Sequence, residues 1–210
     1  MAPAGQPSLL DEHRRTARER ILRAARAVLA ERGLAARVED VAEAAAVSRR
    51  TVFRYFETRE ALVAAALTDS IRSYADHIPR PQRDESLAEW LDRALVAIHT
   101  MNAQHGRVYF ELALAGDLDG RLGSIAELRR SARADLVRHF ADAAWKAGDG
   151  RGRPPQWLDD AVAVLLSAFA TEALVRDFGR TPEQVGSAMA SALTHAIEGA
   201  VAERAGTARR

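Results

Sequence analysis

Apolar residues recur at spacings of three and four along most of the chain, which is the periodicity of amphipathic helices. The first such segment predicts a helix over 11–31, whose inward face carries Ile21, Leu22, Ala25, Val28 and Leu29. Gly33 follows its last turn, where helices commonly end in the left-handed conformation. The helical period continues through the last third of the chain without a convincing strand pattern. The sequence therefore predicts an all-α fold.

Capping residues and prolines divide this pattern into helices. Single N-caps are predicted at Ser48 and Thr58, and three capping boxes pair Ser86 with Glu89, Ser124 with Glu127 and Thr181 with Gln184. Prolines 79 and 81 end the fourth segment. We predict nine helices, at about 11–31, 38–45, 49–56, 59–77, 87–106, 108–115, 124–147, 157–178 and from 182 onward.

Composition limits the class of protein. The 210 residues are 48% hydrophobic and 28% charged, which suits a globular chain with a proper core. The chain contains no cysteine, so disulfides, thiolate zinc sites and cysteine nucleophiles are excluded, and a reducing compartment fits. No apolar run reaches the roughly 18 residues of a membrane span, and the N-terminus lacks the features of a secretory signal. We therefore expect a cytoplasmic protein.

Charge is distributed unevenly along the chain. Residues 1–60 hold twelve Arg and nine Asp or Glu, a net charge of +3, whereas the whole chain carries +1. The basic excess surrounds residues 47–56, VSRRTVFRYF, where three arginines share ten residues with three aromatic side chains. An excess of this size is compatible with nucleic-acid binding but does not establish it.

Two short helices joined by a tight turn at 46–48 form a helix-turn-helix pattern. In that motif the N-terminal residues of the second helix contact base edges in the major groove, and here these residues are Arg49, Arg50 and Thr51. Val52 and Phe56 lie four residues apart and can pack inward. Spacing alone leaves a second interpretation open, in which the arginines form a solvated face of an ordinary short helix.

The stretch VEDVAEAAAVSRRTVFRYFETREALVAAAL (38–67), preceded by a helix that ends in ERGL, resembles the N-terminal domain of TetR-family transcriptional regulators. The resemblance covers about residues 11–70. It implies a three-helix helix-turn-helix DNA-binding domain at 1–58, followed by a larger helical ligand-binding and dimerisation domain at 59–210.

The resemblance also implies roles for individual residues. Arg49, Arg50, Thr51 and Phe53 match base-facing positions, Tyr55 matches a hydroxyl that contacts phosphate, and Arg59 matches a basic phosphate clamp. Arg54 either touches a phosphate or is solvated. The full DNA-binding set is Arg37, Ser48, Arg49, Arg50, Thr51, Phe53, Arg54, Tyr55 and Arg59.

Two residues depart from the family pattern. Ala46 stands at the turn where the family usually has glycine, and left-handed geometry costs alanine roughly 1 kcal/mol. Arg37 stands where the family often has a threonine that caps the second helix and touches phosphate. Arginine can bind phosphate but cannot cap a helix. The contacts at that end of the motif therefore stay open.

The middle helices carry candidate residues for an effector pocket. Bulky side chains and polar side chains on otherwise apolar helices are the natural lining of such a pocket. Each bulky residue fits a plain core better than a pocket wall. The candidates are Trp90, His99, Met101, Asn102, Tyr109, Phe110, Phe169 and Glu172.

The predicted helix over 157–178 is apolar on more than one face, and a monomer would expose part of that surface. Small residues on the last helix (Gly186, Ala190 and Ala200) would allow close approach of a second copy. We predict a dimer interface formed by Val162, Leu165, Leu166, Phe169, Leu174, Val185, Met189, Leu193 and Ile197. The alternative is that both helices cover one large monomeric core.

Other chemistry finds no support in the spacing of residues. The six histidines include no i, i+4 pair, DLDG (117–120) lacks the acidic positions of a calcium loop, and no nucleophile–base arrangement can be argued. We expect no metal, no cofactor and no enzymatic activity.

Together these features predict a DNA-binding transcriptional regulator, a repressor that binds a palindromic operator as a homodimer and is released by a small-molecule ligand. The sequence names neither the effector nor the operator. The alternative is an all-helical interaction protein whose basic N-terminal face binds an acidic partner.

Overall fold

The computed structural model describes residues 9–114 and 120–207, and these ranges contain nine α-helices and no strand. Short 3₁₀ turns follow α1, at Gly33–Ala35, and α4, at Tyr74–His77. The all-α prediction is confirmed. The helices are α1 (Leu9–Arg32), α2 (Val38–Ala44), α3 (Arg49–Tyr55), α4 (Arg59–Ser73), α5 (Leu87–Leu114), α6 (Gly120–Ala147), α7 (Gln156–Leu165), α8 (Ala168–Phe178) and α9 (Pro182–Thr207).

The predicted break at Gly106 is wrong, because α5 runs through this glycine without interruption. Gly106 is buried, and a Cβ placed on it would lie only 3.3 Å from the Cβ of Ala168 in α8. The missing side chain lets α8 approach α5 closely. This glycine therefore serves helix packing and does not end a helix.

The predicted single helix at 157–178 is also wrong, because the chain leaves helical geometry at Leu166 and Ser167. Ser167 has extended backbone angles, and its hydroxyl accepts a hydrogen bond from the Ala170 N–H at 3.1 Å, so it caps α8. The carbonyl of Leu166, freed by the break, accepts a hydrogen bond from the Asn102 side chain at 3.3 Å. The agreement on nine helices thus arises because one predicted helix is split and two others are joined.

Most predicted caps are confirmed. Ser48 and Thr58 accept hydrogen bonds from the backbone N–H three residues later, and both partners of the capping boxes at Ser86 and Thr181 are bonded. The box at Ser124 is wrong, because α6 already begins at Gly120 and the Ser124 hydroxyl donates to the Gly120 carbonyl at 3.2 Å. Residues 117–119 of the DLDG segment, which the sequence already excluded as a calcium loop, lie outside the described residues.

The core consists of two hydrophobic clusters. The first joins α1–α4 to Val108 and Leu112 of α5 and Ile125 of α6. The second lies between α5, α6, α7 and α9. Helix α4 packs into the first cluster and also against α6. Helices α1–α3 therefore share their core with the rest of the chain. The boundary between 58 and 59 stays a prediction.

Helix α9 packs along α5 of the same chain, and Gly186 makes this possible. A Cβ on Gly186 would lie 2.5 Å from the Cα of Val96, closer than any side chain could tolerate. Gly186 and the buried Ala190 therefore serve a contact within the chain and not, as predicted, the approach of a second copy.

Five residues of the predicted dimer interface are also part of this internal core. Each is at most 3% exposed, because the apolar faces of α7 and α9 point toward α5 and α6. They cannot form an exposed interface, and the prediction is wrong for Val162, Leu166, Val185, Leu193 and Ile197. Of the remaining four, Leu165, Leu174 and Met189 are half-buried and Phe169 is exposed.

None of the helices within the described ranges is both long enough and apolar enough to span a membrane.

We expect Gly186→Ala to lower the free energy of unfolding by several kcal/mol, because the new methyl group would collide with the α5 backbone and force the helices apart. Ala202→Ser, at an exposed position on the same helix, is the control. A small exposed substitution of this kind should change the free energy of unfolding by no more than about 0.5 kcal/mol. Denaturant unfolding of both variants measures the difference, and equal stabilities would contradict the close α5–α9 approach.

Candidate DNA-binding surface and ligand cavity

The turn between α2 and α3 has the left-handed geometry expected at Ala46. The φ angle of this residue is +50°, and its N–H and that of Val47 donate to the carbonyls of Glu43 and Ala42, both at 2.9 Å. Val52 and Phe56 are buried against the preceding helices, as predicted. The turn therefore keeps the geometry of the motif despite the alanine, and it holds α3 with one face turned outward.

The outward face of α3 begins with a polar cluster. Ser48 caps the helix by accepting from the Thr51 N–H at 3.1 Å, and the two hydroxyl oxygens lie 2.9 Å apart. Ser48, Arg50, Thr51 and Arg54 line a surface recess of about 290 Å³. Arg50, Arg54 and Phe53 are exposed. This recess at a helix N-terminus offers hydrogen-bond donors and positive charge to an anionic partner.

Arg49 differs from its neighbours because it is already paired within the chain. Its Nε lies 2.9 Å from a carboxylate oxygen of Glu39 in α2. The side chains of Arg49 and Glu39 are 61% and 50% exposed. An exposed pair of this kind contributes little to stability and can exchange for another anion. The sequence did not reveal this pair, because the approach of α2 to α3 depends on the turn geometry.

The predicted phosphate-binding residues fall into two groups. Arg37 and Arg54 have exposed side chains, and Arg54 lies over the half-buried ring of Tyr55, 5.3 Å from its centroid. At the start of α2, the Asp40 carboxylate accepts from the Arg37 N–H at 3.0 Å, which is the bond that the third helical residue makes in a capping box. This backbone bond, together with the nearby Arg32, lowers the pKa of Asp40.

Arg59, the predicted phosphate clamp, is bonded within the chain. The side chain is half-buried, and its Nε donates to the Ala36 carbonyl at 2.9 Å while Nη2 donates to the Leu34 carbonyl. Both carbonyls belong to the turn between α1 and α2. Arg59 therefore fixes this turn to the start of α4, and its contact with phosphate stays a prediction.

Helix α5 holds the same turn from its other side. The Glu111 carboxylate accepts from the Leu34 N–H, and Arg107 donates to the Glu31 carbonyl at 3.2 Å. Gly33 has a φ of +60°, and a Cβ there would overlap the Glu111 carboxylate. Both α4 and α5 therefore form hydrogen bonds with the α1–α2 turn. These bonds connect α1–α3 to the larger helical part of the chain.

A cavity of about 750 Å³ lies between α4, its following 3₁₀ turn, α5, α6 and the α7–α8 junction. Of the predicted pocket residues, Trp90, Asn102 and Tyr109 line it, and the other five lie elsewhere. Phe110 packs on Phe169 with ring centroids 4.6 Å apart, and Glu172 pairs with Arg176 at 2.7 Å. Of the remaining two, His99 is buried and bonded to Thr171, and Met101 packs against the second hydrophobic cluster.

Sequence reasoning missed the charged residues of this cavity. Arg129 and Arg133 lie one turn apart on α6 and line it together with Ala132, Leu136 and Phe140. The signal was present in the sequence, since two arginines occupy the face of α6 that is otherwise apolar. The long side chains of arginine made solvent the default expectation for that face.

A buried polar network borders the cavity. The Tyr74 hydroxyl donates to the Asn102 side-chain carbonyl at 3.0 Å, and Asn102 donates in turn to Leu166 O and to Thr171 Oγ1. The Nδ1 of His99 lies 2.8 Å from Thr171 Oγ1, whose own proton points to the Ser167 carbonyl. The network therefore ties α4, α5 and the α7–α8 junction together.

Burial lowers the pKa of His99 to about 4 and raises the pKa of the Tyr74 hydroxyl. Both groups are therefore neutral near pH 7. The neutral His99 ring donates through Nδ1 because Thr171 has no further proton to offer. Within the described residues, no group of three or more His, Asp or Glu side chains could hold a metal ion.

Comparison with known proteins places these features in context. Residues 21–66 match the family described as "Bacterial regulatory proteins, tetR family". The chain is 34% identical over 148 residues to the uncharacterized HTH-type transcriptional regulator YdeS of Bacillus subtilis (strain 168). That match covers 70% of this chain and 71% of the relative.

Solved structures share the fold at lower sequence identity. A tetR-family transcriptional regulator from Streptomyces coelicolor superposes with a TM-score of 0.68 at 17% identity, covering 92% of this chain and 86% of the other. The regulator FadR from Bacillus subtilis, in complex with stearoyl-CoA, gives a TM-score of 0.56 at 13% identity, covering 84% and 97%. These likenesses extend over both the helix-turn-helix and the larger helical part.

We expect the protein to lose stability as the pH falls from about 6.5 to about 4. The folded state holds His99 neutral with its pKa near 4, whereas the unfolded chain binds a proton near pH 6.5, so acid favours unfolding in this window. The loss should approach about 3 kcal/mol in the free energy of unfolding.

Urea unfolding at a series of pH values measures this loss. His99→Gln should be less stable near neutral pH and should lack most of the pH dependence above about pH 4.5. His105→Gln, at an exposed position on α5, is the control and should keep the wild-type slope. An unchanged slope in His99→Gln would show that another group causes the acid sensitivity.

Proposed function

This chain belongs to the TetR family of bacterial regulatory proteins and is a helix-turn-helix transcriptional regulator, and we propose that it is a homodimeric repressor of a palindromic operator, released by a small-molecule ligand. Helix α3 would read the operator, the cavity beside α6 would take the ligand, and α8 with α9 would form the dimer. The proposal divides the chain into a DNA-binding part at 1–58 and a ligand-binding and dimerisation part at 59–210.

The outward face of α3 is the observation that carries the DNA-binding proposal. Arg50 makes no ion pair within the described part of the chain, and Thr51 lies beside it at the N-terminus of the helix. A guanidinium can donate two parallel bonds to one guanine, and threonine can offer its hydroxyl or its methyl group. Arg49, Phe53 and Arg54 extend this surface, and Tyr55 and Arg37 border it.

Release by a ligand would act through α4. This helix lines the cavity near its C-terminal end with Ile71 and Arg72, and its N-terminal Arg59 holds the α1–α2 turn. A ligand can only shift the protein between states for which it has different affinities. A shift of α4 on ligand binding would therefore move the DNA-binding helices relative to the body. The stearoyl-CoA bound to FadR supports the idea that this fold can hold a ligand.

The outer face of α9 favours a dimer. Its exposed residues are small, and Glu198 is the one charged residue between 187 and 199, which is unusual for a helix face in water. On the adjoining α8, Phe169 and Phe178 are 42% and 69% exposed. This face, hereafter the α9 outer face, consists of Ser187, Ala188, Ser191, Ala192, His195, Ala196 and Gly199.

Two copies joined through α8 and the α9 outer face would form a four-helix bundle with twofold symmetry. The interface proposed here keeps Phe169, Leu174 and Met189 from the sequence prediction. The α9 outer face takes the place of the five buried residues, and Leu165, on α7, is not included. Twofold symmetry places the two α3 helices roughly 34–36 Å apart, or a multiple of it, and a palindromic site follows.

DNA binding is tested with a random-sequence duplex at increasing salt. A regulator should bind this duplex weakly at low salt and lose affinity steeply as salt rises, because phosphate contacts release counterions. Selection from a random pool should then yield palindromic sites. Binding to an acidic protein but to no duplex would favour the interaction protein that the sequence left open.

We expect Arg50→Ala and Thr51→Ala each to weaken binding to a selected operator by about 1–3 kcal/mol, because each removes a contact with a base edge. Binding to random duplex should change less. Arg153→Ala, an exposed arginine far along the chain from α3, is the matched control and should bind both duplexes as the wild type does. Fluorescence anisotropy with both duplexes measures the effects. An equal loss on both would reassign these residues to phosphate contact.

We expect Ala192→Arg to produce monomers, since it places a charge and a long side chain at the centre of the α9 outer face. Ala134→Arg, at an exposed position on α6, is the control and should remain dimeric. Sedimentation at micromolar concentration distinguishes the two. A wild-type particle of one chain, 22.9 kDa, would contradict the dimer and with it the palindromic operator.

A further inference from the structure

The charged lining of the cavity is strongly one-sided. Four arginines reach it, Arg72 and Arg80 from the α4 side and Arg129 and Arg133 from α6, against the single carboxylate of Asp135. Asp135 is bonded to Arg138 at 3.1 Å, and both of these side chains are mostly exposed. The cavity therefore presents a positive field that the acidic residue beside it does not balance.

Arg129 and Arg133 are the half-buried members of this set, whereas Arg72 and Arg80 are exposed. Burial is the main cause that lowers the pKa of each guanidinium, and the charge of Arg133 lowers that of Arg129 further. Arginine nevertheless stays protonated at any physiological pH, so the pair cannot relieve its repulsion by releasing a proton. Two like charges one turn apart on a helix destabilise it.

The chain does little to neutralise this pair. Among the described residues, neither arginine makes an ion pair with an acidic side chain, and Arg133 uses Nη2 to donate to the Ala163 carbonyl. Nearby Tyr109 is half-buried, and burial raises the pKa of its hydroxyl, so it offers a neutral dipole and no negative charge. Desolvated charges without a counterion are costly, and residues that hold them commonly bind one from outside.

Most of the remaining lining is apolar, and the volume of the cavity is that of a small-molecule site. Ile71, Ile78, Trp90, Leu136, Phe140 and Leu166 form most of the wall, and 750 Å³ lies within the usual range of ligand pockets. A highly charged ligand would leave most of its own groups facing this apolar wall. A cation would meet four arginines and, among the described lining residues, only the Asp135 carboxylate, which already pairs with Arg138.

We propose that the cavity binds an apolar molecule carrying a single anionic group, a carboxylate or sulfonate, which pairs with Arg129 and Arg133 while the apolar body lies against Trp90, Leu136 and Phe140. A carboxylate suits the planar fork of arginine and can accept two parallel bonds from it. The role of this molecule as the effector rests on the proposed function, whereas its binding does not.

The position of the arginines would make such a ligand a bridge. The pair lies on α6, and the opposite wall is formed by α4 and the 3₁₀ turn that carries Tyr74. A molecule held by its anionic group on α6 and packed against Ile71 would fix the distance between α6 and α4. The proposed release from the operator requires this distance between α6 and α4 to change.

The test compares two fluorescent probes with the same aromatic skeleton. 1-Anilinonaphthalene-8-sulfonate carries one negative charge, and N-phenyl-1-naphthylamine carries none. The wild-type protein should bind the sulfonate more tightly, by about tenfold, which corresponds to one charge-assisted pair. Binding of each probe is measured by fluorescence titration without DNA.

Arg129→Gln should remove most of this preference, and Arg129→Gln with Arg133→Gln should remove it entirely, while affinity for the neutral probe stays within about twofold. Arg129→Lys keeps the charge and should retain much of the preference, which guards against a variant that merely misfolds. Arg130→Gln is the matched control, since Arg130 is exposed on the same helix and pairs with Glu127.

Three results would overturn the proposal: equal affinity of the wild type for both probes, a preference for the sulfonate that survives in the double variant, or no binding of either probe. Salt-dependent binding to random duplex is measured on the same preparations. A protein that binds the duplex but fails the probe test refutes the ligand class alone, and the reverse result refutes the DNA-binding proposal alone.

Discussion

The close contact of α5 with its neighbours is the constraint on which the rest of this structure depends. At Gly186 the backbones of α9 and α5 approach until no Cβ fits between them, and at Gly106 a Cβ would crowd Ala168 of α8. Because these crossings are so close, α9 lies along α5. The apolar faces of α7 and α9 are therefore buried against other helices of the same chain. The outer face of α9 is then left with small residues, which is the surface available to a second copy.

The same helix connects the body to the DNA-binding helices. Its C-terminal half contributes Val108 and Leu112 to the first core cluster and Glu111 to the α1–α2 turn, which Arg59 of α4 also binds. The hydrogen bonds to this turn are made to backbone groups and are directional, so the turn follows both helices. Movement of α4 relative to α5 would strain these bonds, which gives the cavity beside α4 a physical route to α3.

The cavity combines two opposing properties, an apolar wall and two positively charged side chains. Its apolar wall disfavours charge, while Arg129 and Arg133 bring charge that cannot titrate away. An ordinary core would place such arginines at the surface or give them carboxylate partners. The network of Tyr74, Asn102, Thr171 and His99 nearby shows the usual solution, in which buried polar groups stay neutral and bond to one another, although His99 Nε2 is left without a partner.

The sequence by itself determined the features that are fixed within a few residues of chain. The caps at Ser48, Thr58, Ser86 and Thr181 follow from local hydrogen bonds, and the helix-turn-helix follows from them, whereas alanine at position 46 left the geometry of the turn open until the structure showed it to be left-handed. The outward face of α3 could be predicted for the same reason, because Val52 and Phe56 fix which side turns inward.

Only the tertiary structure decided features that depend on which helix lies opposite. Gly106 continues a helix because α8 packs there, and the chain breaks at Ser167 because a cap and Asn102 satisfy the freed backbone groups. Arg59 binds a turn about 23 residues away in sequence, and five predicted interface residues lie in the core. A hydrophobic stripe or an arginine indicates that a partner is needed, but long-range packing chooses whether that partner is the same chain, a second copy, DNA or a ligand.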